Sequence, residues 1–493
     1  MMPQATVTPT KTLIPSPLPP TATASPIPTS TVTPTLTPTP TATPRTIQLK
    51  VDGSGDYADL PTVIDAAAPG DIIMLEKGTY LINKDLFIQK PISIVGAGMD
   101  KTYIVVKAKV YGITFASGGL FILKGITFED KTKKLEALVR MINGDVNFKE
   151  SRFTGARMDI GDLLGTGLKI SGDISGIIQD CVFDGNYAGV VVEGNINNLV
   201  LKNNSFTKNI QGILAGYKTT ATIEENVFSK NEFGIRFYGR AKGVARGNQI
   251  LDNDYGILVG GYATPLLEEN TISQNYWGIY YWQAGGGIAH LNQISENKRY
   301  GIIIEDQSYP TLEENIIAKN HWHGIDIRDT AGGLIHENQC LDNGGSGITV
   351  SDDAKPTLEE NICSHNKDNG IYYFDETSGW VRENQCTENG MDGINVTGNA
   401  HPALEENVCS KNEGNGILFE DHSGGIARKN QCSENKQAGI AVKEWAQPKL
   451  EANLCDRNLY GILLTHEAKP ELIDNLCQGN TEGDIMDKRW QPQ

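Results

Sequence analysis

An asparagine recurs every 22 or 23 residues, thirteen times between Asn204 and Asn475, and very few folds are compatible with so strict a period. A second asparagine stands five residues after each, from Asn209 to Asn480, and a glycine follows three or four residues later, from Gly212 to Gly483. Such a repeat means one short unit stacked on copies of itself. Isoleucine follows the glycine in twelve successive repeats, Ile213 to Ile462. The alternation within Gly-Ile-x-Val has the period of two of a strand with one face inward. Two or three strands per repeat cannot bury their inward faces alone, whereas stacking at about 4.8 Å buries them all. The expected fold is therefore all-β, a right-handed, single-stranded parallel β-helix with 22–23 residues per coil. The asparagines suit left-handed turn positions and amide stacking, and the glycines suit φ > 0 or close approach.

The fourteen regular coils from Cys181 to about residue 485 make a rod on the order of 60 Å long. Residues 46–180 read as its capped, less regular beginning: a strand at Ile47–Val51, a short amphipathic helix at Leu60–Ala68, then strands at Ile72–Leu75 and Ile92–Val95. Asp484 occupies the position of the inward isoleucine, which predicts that the core stops there and leaves 486–493 as a tail. Residues 1–45 are different in kind. Residues 3–45 hold 12 of the 22 prolines amid threonines, with only Lys11 and Arg45 charged. That composition cannot bury a core and predicts a disordered, extended stalk. A Pro/Thr stalk suits an extracellular or cell-surface protein, although no signal peptide is visible ahead of it. The net charge of −17 argues against nucleic acid as a partner, and no run is long enough to span a membrane.

Three rows of side chains are candidates for function. The first is acidic: Asp306, Asp329, Asp352 and Asp375 lie on four successive coils, with Asp421 and Glu444 beyond a gap at Gly398. Stacked like charges repel, so the aspartates either cap their own turns through backbone N–H groups or share a hard cation such as Ca²⁺. Catalysis, if present, would use Asp329, Asp352 and Asp353, with the neighbouring Arg328 as proton acceptor or charge stabiliser. The second row is aromatic: Phe233, Tyr255, Trp277, Tyr300 and His323 precede the glycine, with Trp282 and Trp322 nearby. Such rings stack against sugar faces or against one another. The third is Cys340, Cys363, Cys386, Cys409, Cys432, Cys455 and Cys477, which occupy the inward position of Phe206, Phe228 and Ile250 and read as small core residues. Two residues before the first asparagine, acidic and basic residues alternate from Glu224 and Arg246 to Arg428 and Glu451. This pairs opposite charges on adjacent strands and reads as register and solubility.

The opening Val51-Asp-Gly-Ser-Gly-Asp-Tyr57, followed by Gly70-Asp-Ile-Ile-Met-Leu75 and Gly78-Thr-Tyr80, resembles the start of pectin-lyase-like right-handed β-helices. The repeats resemble those of carbohydrate-active enzymes, periplasmic copper-associated β-helix proteins and the β-helix segment of F-box-only proteins. The resemblance covers roughly residues 46–485 and implies the fold. It carries no catalytic signature across: the pectinesterase Gly-x-x-Asp-Phe-Ile-Phe-Gly, the polygalacturonase Asn-Thr-Asp and the epimerase Asp-Pro-His are all missing. The expectation is an extracellular or surface-tethered rod that binds polysaccharide or protein without evident catalysis. The alternatives are a Ca²⁺-dependent, pectate-lyase-like enzyme on uronate-containing polysaccharide, and a protein-interaction scaffold.

Overall fold

Each regular coil supplies three short strands, and every strand pairs in parallel with its counterpart one coil away. One coil contains Gln211–Ala215, Thr222–Glu224 and Val227–Ser229; the next contains Phe233–Phe237, Val244–Arg246 and Gln249–Leu251. The registers put like on like, with Ile213 opposite Ile235, Ile223 opposite Ala245, and Phe206 opposite Phe228. The chain winds through about 19 such turns. The computed structural model describes residues 43–489 except 158, 161, 162, 195 and 197. The expected stalk, apart from its last three residues, lies outside the described residues, as does 490–493 of the expected tail. Residues from Pro44 onward form one unit.

The N-terminal end is closed by the helix Leu60–Ala66, shorter by two residues than expected. Asp59 caps it by accepting the Thr62 N–H at 2.8 Å, and Leu60, Val63 and Ile64 are buried beneath it. Arg45 pairs with Asp71 at 2.6 Å, and this hydrogen bond holds the Asp71 carboxyl near 2, far below its ordinary value. The less regular coils include two long strands, Tyr111–Lys124 and Ala137–Lys149, that run from one ladder into the next. At the other end the expected register needs correction. Ile485 pairs with Ile462, so it continues the isoleucine column and Asp484 sits opposite Gly461. The strand Gly483–Arg489 also runs into the expected tail, and Ile485 is 55% exposed only because no described coil covers it.

Both asparagine rows are continuous, and buried up to their half-exposed last members, Asn475 and Asn480. Asn226 donates its backbone N–H and its amide to Asn248 Oδ1, each at 3.0 Å, and its amide also reaches the Leu201 carbonyl at 2.8 Å. Left-handed backbone is not at these asparagines but one residue earlier, as at Glu225 (φ 56°), Glu314 (φ 52°) and Lys319 (φ 57°). The asparagine is therefore selected for its amide rather than for its turn. At Gly212 φ is ordinary, and the glycine serves close approach: a methyl there would run into the Gly234 carbonyl.

Inside, one column changes composition along the rod. Phe153, Phe183, Phe206 and Phe228 stack at 4.7–4.9 Å between ring centroids, nearly parallel. Isoleucines succeed them, then the cysteines, all free thiols and buried except for half-exposed Cys477. Burial also pushes the Cys181 thiol up to about 12. Among the described residues, no helix is long and apolar enough to cross a membrane.

Candidate functional site

The outward face of the Gly-Ile-x-Val ladder carries four parallel rows: the residue before the glycine, the x residue, the residue closing the strand, and the corner after it. In the pre-glycine row Phe233 stacks on Tyr255 at 4.8 Å and Tyr255 on Trp277 at 4.5 Å. Tyr300 lies 5.8 Å from His323 and meets Trp322 edge-on, while the Arg299 guanidinium covers Trp322 at 4.5 Å. These rings are half-buried against one another, and Trp322 is the more open at 40% exposure. Trp282 closes its strand, half-buried, two rows away from this stack.

From His323 onward the row changes role. The His323 ring accepts the Ser346 N–H on Nδ1 at 2.8 Å, which leaves its proton on Nε2. Burial lowers its pKa, so the neutral donor form prevails at neutral pH. Ser346, Asn369, Asp392 and Asn415 continue in the same way, each side chain accepting the N–H of the pre-glycine residue one coil on.

The x and strand-end rows hold a cluster that the periodic pattern did not single out. The Tyr280 hydroxyl donates to Glu305, which also receives Arg328 Nε at 2.8 Å. Arg328 lies 3.7 Å from Asp326, and Asp326 accepts the Thr349 hydroxyl at 2.6 Å. Burial works against the Arg328 charge, but Glu305 and Asp326 outweigh it and raise the pKa above its ordinary value. Arg328 therefore stays charged and is no proton acceptor at neutral pH. Its ion pairs turn it toward Glu305 and Asp326 rather than toward Asp329, Asp352 or Asp353. The only signal available in sequence was two acids, Glu305 and Asp326, on adjacent coils at strand positions.

The corner row contains the acidic stripe. Asp306, Asp329, Asp352 and Asp375 have φ of 57–61°, and each carboxylate caps not its own turn but the coil before. Asp329 accepts the Asp306 N–H at 3.1 Å, Asp352 that of Asp329 at 3.1 Å, and Asp375 that of Asp352 at 3.3 Å. One oxygen of each is thus committed to backbone. Among the described residues the stripe forms no group of three ligand atoms close enough for one ion. Asp353 is exposed beside it. His323 stands at the opposite end of the strand from the stripe, and His422 is stacked on Trp445 at 5.1 Å.

The same corner opens into a groove on earlier coils. Two hollows of about 490 and 560 Å³ adjoin at Gly239. One is walled by Tyr217, Lys218 and Arg240, the other by Tyr238, Tyr262, Asp306 and Asp329. Gly261 forms part of the floor, and a methyl there would sit 2.9 Å from the Tyr238 ring. Tyr217 and Tyr262 are 66% and 69% exposed, yet both hold left-handed backbone, φ 56° and 70°. That conformation is unfavourable for a bulky residue, and neither side chain repays it by capping an N–H of the described residues as the aspartates do. Sequence reasoning missed this groove because its tyrosines do not repeat at one position and its cations, Lys218 and Arg240, match over only two coils.

A family profile described as the right handed beta helix region matches residues 211–361 and 329–481. A second, the periplasmic copper-binding protein NosD, matches residues 97–276. Among solved structures, the periplasmic alginate epimerase AlgG is similar at 11% identity over 85% of this chain and 77% of that one, with a TM-score of 0.35. A mannuronic acid specific polysaccharide family 6 lyase from human gut microbiota gives 12% identity over 82% and 86%, TM-score 0.29. Pectin methylesterase PemA from Erwinia chrysanthemi gives 10% over 46% and 81%, TM-score 0.29. No curated protein sequence matches the chain. With its amide ladders, its parallel coils and a profile match over more than half its length, the chain belongs to the right-handed β-helix family.

Proposed function

We propose that this β-helix is a binding rod for an extended polysaccharide, held outside the cytoplasm along the groove between Ser171 and Thr330. The observation that carries this reading is the pair of exposed tyrosines, Tyr217 and Tyr262, kept in left-handed backbone on the walls of a glycine-floored groove. Exposed rings on a rigid frame stack on sugar C–H faces while their hydroxyls bind sugar hydroxyls. Successive coils repeat at about 4.8 Å, so a polymer lying along the groove meets equivalent positions again and again. Lys218 and Arg240 give the chain, acidic overall, a locally basic stretch for carboxylated sugars. The Pro/Thr-rich stalk and the periplasmic family matched over residues 97–276 support a place in the periplasm or outside the cell.

The test is retention on immobilised neutral and uronate-containing polysaccharides, with chain length followed in the same incubation. Tyr262→Ala is expected to reduce retention several-fold, and Arg240→Gln to reduce it only on the anionic polymers. Absence of retention would sink the reading. Shortening of the polymer, lost in Glu305→Gln, would replace binding with catalysis at the Tyr280–Glu305–Arg328 cluster.

A further inference from the structure

We propose that His336, Glu337 and Glu360 form a binding site for a divalent transition cation of the Zn²⁺ class, on a different edge of the rod from the groove. Their ligand atoms lie within 4.8 Å of one another. Donors held tetrahedrally around one zinc ion at about 2.0–2.2 Å lie about 3.3–3.6 Å apart, so closing the set takes movements on the order of 1 Å from two flexible glutamates. One imidazole and two carboxylates suit a borderline cation better than Ca²⁺, which prefers oxygen alone. Three protein ligands also leave a position open on the ion.

The neighbouring coils show why this spot differs from the rest of its row. Glu314, Glu337, Glu360, Glu383 and Glu406 occupy the residue before the first asparagine on five successive coils, all with left-handed backbone. Like charges stacked at about 4.8 Å need compensation. Glu406 has Lys429 at 3.0 Å and Glu383 has Arg382 at 3.8 Å. Among the described residues Glu337 has only His336, at 3.7 Å, and Glu360 has no ion pair. The cation missing from the middle of the row coincides with the one place, among the described residues, where a third ligand is at hand.

His336 stands in the alternating row between Glu313 and Glu359, yet its ring is not held there by hydrogen bonds among the described residues. His290, two coils earlier in the same row, has one ring nitrogen 3.6 Å from Glu268 and the other 3.6 Å from Glu314. In His336, Nδ1 is buried with no hydrogen-bond partner, and no hydrogen bond among the described residues reaches Nε2. An imidazole held beside two carboxylates with neither nitrogen hydrogen-bonded has ligand capacity that the coil does not use.

The test is titration of the full chain with Zn²⁺ by calorimetry, and with Co²⁺ by its visible d–d absorption, which reports the ligand set directly. One equivalent of tight binding is expected, weakened at least 10-fold by His336→Gln and by Glu360→Gln. Glu383→Gln, in the same row but already paired with Arg382, should leave affinity unchanged. Thermal melting of each variant without metal separates lost ligation from lost folding. The proposal fails if the wild-type chain binds neither ion, if His336→Gln binds as tightly as wild type, or if the Co²⁺ spectrum is unchanged in that variant.

Discussion

Coils of 22 residues and coils of 23 share both asparagine ladders but show solvent different surfaces. In the shorter coils the pre-glycine residue belongs to the strand, and its N–H bonds a carbonyl: Phe233 to Ile210, Tyr255 to Glu232, Trp277 to Asp254, at 2.7–2.9 Å. In these three coils the side chain is then free, and it is aromatic. From Asn297 onward one more residue separates the second asparagine from the glycine, and the strand starts later, as at Ile325–Ile327. From Ser346 to Ala438 the pre-glycine N–H is met by a side chain of the previous coil, which must be an acceptor: His323, Ser346, Asn369, Asp392, Asn415. Near the end the spacing returns to three residues, and Tyr460 is both aromatic and bonded to a carbonyl, that of Gln437 at 3.2 Å. The inserted residue thus goes with a row that serves the backbone from His323 onward, whereas without it Phe233, Tyr255 and Trp277 leave the row available to a ligand.

The comparison breaks most visibly in the core. Phe206→Ala, within the stacked rings of the shorter coils, should cost about 3–5 kcal/mol, and Cys386→Ala in the longer ones only about 1 kcal/mol. Hydrogen exchange resolved by coil is the suitable measurement, because long repeat arrays need not unfold as one unit. Equal losses would mean that the two halves are packed alike despite their contents. Next comes the frame both regions share. Asn231→Ala and Asn366→Ala each remove an acceptor for buried N–H groups and should cost about 1–3 kcal/mol, the same in either region. A clear difference between them would show that coil length alters the frame as well as the surface.

A smaller effect separates the polar row by charge. Burial raises the Asp392 pKa, and it raises that of Glu420 on the same face. A raised carboxyl penalises folding at pH values above its folded pKa, and that penalty fades as pH falls through the folded pKa toward the ordinary carboxylate range. Asp421 has the opposite sign: its bonds from Thr397 and Gly398 lower its pKa, so its contribution holds above the ordinary value and is lost on further acidification. Stability should therefore pass through a maximum on mild acidification, measured as urea midpoint against pH. Asp392→Asn should remove the rise and add about 1 kcal/mol at neutral pH, since an amide can also satisfy the unpartnered Asn395 Oδ1. No change in the profile would mean that Asp392 is solvated after all. The smallest change is at the groove. Tyr217→Asn should stabilise its coil by about 0.5 kcal/mol, because asparagine tolerates left-handed backbone better, while weakening polysaccharide retention. Loss of both stability and retention would mark the tyrosine as structural.

Much of this was legible in the chain. The period specified the coils and their inward columns, and the amphipathic stretch from Leu60 announced the closing helix. The cysteines were readable as core because they replaced phenylalanine and isoleucine at one position. What failed did so for a common reason: it depended on contacts between coils rather than within one. The stripe aspartates were legible as caps, but whose N–H they cap is a matter of stacking. Left-handed geometry fell one residue before each asparagine because the amide itself had to turn inward. Asp484 was misplaced because the last strand slips by one residue against its neighbour. Tyr280, Glu305, Tyr217 and Arg240 were invisible to periodic reasoning, since they are departures from the repeat.

The cysteine column has a consequence for watching this protein move. Seven thiols stand one per coil from Cys340 to Cys477, and only the last is partly open to solvent. A thiol reagent can reach each of the others only when its own turn frays. Their labelling rates, read in order inward from Cys477, form a ruler of unzipping already installed in the chain, one graduation per coil.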